Sequence, residues 1–204
     1  KLTKIIFFLL LCLNAYASDT WSKEREKAKS MITKEKLARE ISFLADSICQ
    51  GRASGTKGSV EAAMWIQRKF EEAGLICMTG SWSHGFMVRE DMTGRNVIGM
   101  LPGSKSIPCD RYVIVGAHYD HIGMLDGKMY PGADANASGV TAMTSLAEIF
   151  GAMRKMGKIY SSNIIFVAFD AKEYDFKGSE ALWGMLEHGL LINPVSGETV
   201  TKDK

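Results

Sequence analysis

Apolar residues recur along this chain in two rhythms. Leu37, Ile41, Leu44, Ala45 and Ile48 fall at helical spacing within the otherwise charged stretch from Ser18 to Cys49, which predicts a leading helix from Thr33 with Glu35 near its start. A Gly/Ser/Thr turn covers Gly51 to Ser59. Ser59 can then cap a second helix running through Phe70, with Ala62, Ala63, Ile66 and Phe70 as its stripe and Gly74 as its stop. Asn96 to Leu101 is a short apolar run ended by Pro102-Gly103. Tyr112 to Ala117 is unbroken and rich in β-branched residues, a pattern that fits a strand covered on both faces. Ser138 to Met156 predicts a long helix, with Val140, Met143, Ala147, Phe150 and Arg154 close to one line. Asn163 to Phe169 is a second fully apolar strand, and Gly178 to His188 another helix. Strands alternating with helices predict an α/β domain of three layers, a mainly parallel sheet with helices on both faces. No repeat or low-complexity linker divides it.

The first residues follow another logic. Lys1 and Lys4 form a basic start, Ile5 to Leu13 an unbroken apolar run, and Ala15-Tyr16-Ala17 a small-residue cleavage pattern. Together they predict a secretory signal peptide over residues 1–17, cut before Ser18, and a secreted or periplasmic domain over 18–204. A lipoprotein reading through Cys12 is weaker, because bulky leucines precede it. Cleavage removes Lys1 and Lys4 and takes the formal charge from +2 to 0. No later segment is apolar enough to span a membrane, and no basic stripe or aromatic-basic interleaving points to nucleic acid. Cys49, Cys77 and Cys109 remain after cleavage, so at most one disulfide forms and at least one thiol stays unpaired.

In sheets of this kind, ligands bind just beyond the carboxyl ends of the strands. Both buried runs end in ionisable residues, the first in Gly116-Ala117-His118-Tyr119-Asp120-His121 and the second in Phe169-Asp170-Ala171-Lys172-Glu173. Between them Pro131 to Gly139 forms a loop entering the long helix. A histidine and carboxylates at one sheet edge suit a hard-to-borderline metal. Asp120, two residues after His118, could hold the ring N–H that a metal leaves free. Spacing alone favours a histidine and aspartate hydrogen-bonded to each other in a turn.

Five segments stand in the order and spacing of one family: Gly51 to Gly58, Arg95 to Gly99, Gly116 to His121, Gly132 to Gly139, and Phe166 to Ser179. The chain resembles the co-catalytic zinc exopeptidases of the bacterial leucyl aminopeptidase type, with glutaminyl cyclases and glutamate carboxypeptidases as distant kin. The resemblance covers Leu37 to Leu190. It implies a zinc-exopeptidase-like fold, a zinc pair bridged by an aspartate, a glutamate general base, and peptides as substrates.

Carried over by residue, the resemblance puts a zinc-binding histidine at His118, its partner carboxylate at Asp120, and a zinc-binding glutamate at Glu173. It departs at two places. The bridging aspartate falls on Ala135, with Asp134 beside it, and the general base falls on Lys172. Two further ligands are expected beyond Lys204, which predicts that the domain's C-terminal part is missing from these residues. The two replacements make the cleft three charge units more positive than the family pattern. Unit charges ~4 Å apart interact by about 4 kcal/mol at an effective dielectric near 20, so Lys172 opposes a nearby divalent ion. Lys172 either pairs with Glu173 or Asp134 in the vacated metal place or reaches into solvent; Asp134 reaches the bridging place only by a loop shift.

Three functions therefore stay open: a zinc-dependent aminopeptidase-like hydrolase, a non-catalytic relative binding peptides or a protein partner, and a glutaminyl-cyclase-like acyltransferase. Trp65, Trp82 and Trp183 are read as packing residues rather than pocket lining. Met143, Met153 and Met156 are read as helix core, Arg52 and Gly55 as a structural turn, and Ser138 as a helix cap.

Overall fold

A computed structural model describes residues 22–103 and 111–204. The expected leader, Cys12 and Cys109 lie outside the described residues. Helix α1 spans Ser22–Ser30 and α2 Lys34–Leu44. The side chain of Thr33 caps α2 by accepting from the Lys36 N–H at 3.1 Å, as the sequence predicts. A 3₁₀ segment, Ser47–Arg52, leads into α3, Lys57–Ala73. Its cap is Thr56 and not Ser59, whose N–H donates to Thr56 Oγ1 at 3.3 Å. Gly74 ends α3 in a left-handed conformation at φ 82°, where a side chain would be strained.

The strands are β1, Ile76–Cys77; β2, Ser83–Arg89; β3, Met92–Leu101; and β4, Tyr112–His118. A hairpin of β5, Gly123–Leu125, and β6, Lys128–Tyr130, precedes α4, Ser138–Lys155. Strand β7 (Asn163–Phe169), helix α5 (Lys177–Glu187) and a small hairpin of β8 (Leu191–Ile192) and β9 (Thr199–Val200) complete the described chain.

The main sheet runs β1-β3-β7-β4, with β2 also on β3. Only β4 and β7 pair in parallel; β1, β2 and β7 all run antiparallel to β3. The α/β class holds, but the sheet is mixed rather than mainly parallel. One β-α-β crossover, β4-α4-β7, produced the expected alternation. The β2–β3 hairpin went unread because β2 alternates half-buried and exposed positions instead of forming an apolar run.

Helices do cover both faces. Along β3, Val97 and Leu101 join one buried cluster with Ala62, Ile66 and Phe70 of α3 and Met143 and Ala147 of α4. Ile98 and Met100 join the other, with Leu182 and Leu186 of α5. Strand β7 divides in the same way, Phe166 to the first cluster and Ile165 and Val167 to the second, as a period of two requires. Helices α3 and α4 cross closely at Gly151, where an added Cβ would lie 1.9 Å from the Ala73 carbonyl oxygen.

Strand β7 is buried as expected, but β4 is not covered on both faces: Val113 and Ile114 are 49% and 43% exposed. Among the described residues β4 pairs only with β7 and forms the sheet edge. An apolar run marks a strand without fixing its place in the sheet. Trp65 is buried and stacked on Phe43 at 5.6 Å. Trp183 and Met156 are exposed, against the packing roles read for them, while Met143 and Met153 are core. Cys49 and Cys77 are free thiols.

Candidate functional site

Parallel pairing in register, His118 opposite Phe169, brings the carboxyl ends of β4 and β7 to the same sheet edge. A cavity of about 340 Å³ opens there. Its lining includes Gly116 and His118 from β4, Asn136 and Gly139 at the start of α4, and Phe169, Lys172, Phe176 and Ser179 from β7 to α5.

His118 Nδ1 lies 3.2 Å from the backbone carbonyl of Asp120 and 3.6 Å from its Oδ1. A carbonyl oxygen only accepts, so Nδ1 carries a proton, and in the neutral imidazole Nε2 then keeps its lone pair. Asp120 is fully buried, and its Oδ2 accepts from the Glu173 N–H at 3.0 Å. Its Oδ1 makes no hydrogen bond. Asp120 thus ties the two strand ends together and faces the imidazole, the bracing that an imidazole ligand requires.

Lys172 Nζ stands 3.3 Å from Glu173 Oε1. Of the two placements open from the sequence, Lys172 takes the pairing with Glu173. His121, for which the sequence suggested no role, approaches the same oxygen, with Nδ1 3.7 Å from Glu173 Oε1. Burial, then the Arg52 charge, push its pKa below the usual histidine value. The second histidine of the Ala117 to His121 segment was the available signal.

Asp134 and Ala135 lie on an exposed part of the loop. Ser138 is the first residue of α4 and makes no capping bond, contrary to its expected role. Asn136 serves instead, its Oδ1 accepting from the Gly139 N–H at 3.1 Å. Among the described residues, no three His, Cys, Asp or Glu side chains converge in a group able to hold a metal. The family's zinc pair therefore lacks a matching donor set in these residues.

The framework beneath the cavity is dense. Arg52 is fully buried without a carboxylate partner. Its guanidinium donates to the carbonyls of Tyr119 at 2.7 Å, Pro131 at 2.9 Å and Gly132 at 2.9 Å, and to that of Leu44. Burial lowers its pKa. Asp170 is also buried, accepting from Ser54 Oγ at 2.7 Å, the Ala171 N–H at 2.8 Å and the Arg95 N–H at 3.0 Å. Burial raises its carboxyl pKa, the hydrogen bonds opposing. Asn96 bridges the Asp170 N–H and the Gly178 carbonyl.

Residues 96–191 match the family model of Peptidase family M28. A curated relative, the "Probable zinc metalloprotease" of Pyrenophora tritici-repentis, is 28% identical over 159 residues, 72% of this chain and 35% of that protein. The Legionella pneumophila LapA aminopeptidase superposes with a TM-score of 0.60 at 20% identity, over 85% of this chain and 44% of its own. Fimbriiglobus ruber glutaminyl cyclase does so with a TM-score of 0.55 at 23% identity, over 69% and 46%. The chain spans about a third of the curated relative and under half of either structure. No helix among the described residues is long and apolar enough to cross a membrane. Motif order, family match and fold point the same way: residues 96–191 match Peptidase family M28, and the described residues share the fold of these aminopeptidase and glutaminyl cyclase structures.

Proposed function

We propose that this chain is a peptide-binding domain of the peptidase fold, in which a solvent-accessible lysine–glutamate pair stands where part of the zinc pair would be. The observation that carries this is the Lys172 ammonium 3.3 Å from the Glu173 carboxylate. It puts a cation where the family pattern has a general base, on the carboxylate that would otherwise face a divalent ion. Ala135 offers no side-chain donor atom, and the carboxylates below the cavity already accept from the backbone: Asp120 through Oδ2 from the Glu173 N–H, Asp170 in three hydrogen bonds. The reading also takes the protein as secreted or periplasmic, from its leader-like first 17 residues.

A second reading keeps peptide hydrolysis. The braced His118 with its free Nε2 favours it, since that is the tautomer a zinc ion needs, and the curated relative carries a metalloprotease name. Zinc content separates the two. The exported protein, with Ser18 expected first by N-terminal sequencing, is loaded with zinc, dialysed and assayed beside an Ala135→Asp/Lys172→Glu double variant. The wild type is expected to keep less than one ion per chain and show no aminopeptidase turnover, and the double variant to retain more. Two ions per wild-type chain with turnover would overturn the proposal.

A further inference from the structure

We infer that the cavity beyond β4 and β7 takes a carboxylate-bearing peptide, with Lys172 as its anion contact. The inference rests on the peptide-binding reading and names the ligand chemistry of that cleft. Aromatic rings from Phe169 and Phe176 and the backbone of Gly116 give the cavity apolar walls. Few polar groups reach it, the usual make-up of a ligand pocket. At about 340 Å³ it is at the lower end of the roughly 300–1,000 Å³ common for such sites, which suits a single residue or a chain end.

The charges set the sign. Two ionisable side chains besides His118 line the cavity, Lys172 and Asp170. Asp170 is 1% exposed and its carboxylate already accepts three hydrogen bonds. Lys172 has a side chain 37% exposed and, among the described residues, pairs with Glu173 alone, which does not line the cavity. An ammonium has three donors, so a ligand oxygen can share it with Glu173. An ion pair this exposed is worth about 0–1 kcal/mol, too little to hold Lys172 away from a ligand carboxylate. His118 also lines the cavity and offers a ring nitrogen to the ligand backbone. Phe176 is 61% exposed and stands at the mouth, available to stack against an apolar side chain.

A carboxylate could come from a peptide's C-terminus or from an acidic side chain. Calorimetric titration of the full chain in chelator-treated buffer distinguishes them with three probes: acetyl-Ala-Phe acid, acetyl-Ala-Phe amide and acetyl-Asp-Phe amide. At least one acidic probe should bind about tenfold more tightly than the neutral amide, as a charge-assisted hydrogen bond allows. Whichever does so names the source. Lys172→Met should abolish the preference and Lys172→Arg restore it, with unchanged thermal midpoints showing that both variants fold. Equal affinities for all three probes, or no binding of any, would overturn the inference while leaving a zinc-poor wild type as proposed. A zinc pair in the wild type would instead overturn the earlier reading, and with it the role given to Lys172.

Discussion

Arg52→Met tests the idea that one buried guanidinium holds the site loops together. Methionine keeps much of the side chain's length and apolar bulk but removes every donor. In the wild type those donors reach four backbone carbonyls from three separate segments: Leu44 at the end of α2, Tyr119 beyond β4, and Pro131 with Gly132 before α4. All four hydrogen bonds come from a side chain with no exposure. The Tyr119 and Leu44 bonds are buried and the Pro131 and Gly132 bonds part-buried; at about 1.5 kcal/mol for each buried orphan and about 0.5 kcal/mol for each that water reaches, the loss is near 4 kcal/mol. Part is returned, because the variant no longer buries a charge, a cost visible in the lowered pKa of Arg52. The net expectation is about 3 kcal/mol, well above the usual effect of a point substitution. Arg52→Lys should lie between, since an ammonium has three donors and no planar fork. Urea unfolding followed by tryptophan fluorescence measures both. A loss under about 1 kcal/mol for Arg52→Met would refute the clamp, because solvent or relaxation would then be satisfying the carbonyls.

Gly151→Ala should separate α3 from α4. The new Cβ would meet the Ala73 carbonyl at 1.9 Å, and overpacking of about 3 kcal/mol outweighs a helix-propensity gain of about 1 kcal/mol; an unchanged urea midpoint would contradict the crossing. His84 predicts a pH effect. Burial holds its pKa below 6.5, so the unfolded chain binds a proton that the folded chain takes up only at lower pH. The stability from neutral His84 is therefore full above pH 6.5 and lost as pH falls through the folded pKa. His84→Gln should lose less stability than the wild type between about pH 7.5 and about pH 5, measured by urea midpoints, and an equal loss would rule His84 out as a source.

The sequence made some elements legible and hid others for physical reasons. Asn163–Phe169 emerges with the expected bounds because it is the strand flanked on both sides and buried on both faces. Helices α2 to α5 emerge within a few residues, since their stripes pack on the sheet. The β2–β3 hairpin stayed hidden because its alternation is polar on average. The edge position of β4 was hidden because hydrophobicity reports burial on folding and not strand order. At the site, His118, Asp120 and Glu173 were legible as one group through motif spacing, and the structure brings their backbones and side chains together. His121 and Arg52 were not, because their partners are remote in sequence, Glu173 52 residues from His121 and Gly132 80 residues from Arg52.

The positions that depart from the family pattern differ in kind from those that hold the cleft. Arg52, Asn96, Asp120 and Asp170 are buried and bonded to backbone across three segments. Ala135 is exposed, and the Lys172 side chain is 37% exposed. Substitution at exposed positions usually changes stability by no more than about 0.5 kcal/mol. The family's bridging aspartate at 135 and general base at 172 could therefore be replaced without loosening the walls of the cavity, whereas a change at 52 or 170 would dismantle them. A cleft that keeps its framework while its charge inverts still offers a shaped, partly apolar recess at the ends of two strands, now with a cation facing the ligand. On the proposed function, binding separates from hydrolysis in this fold at the level of single exposed side chains.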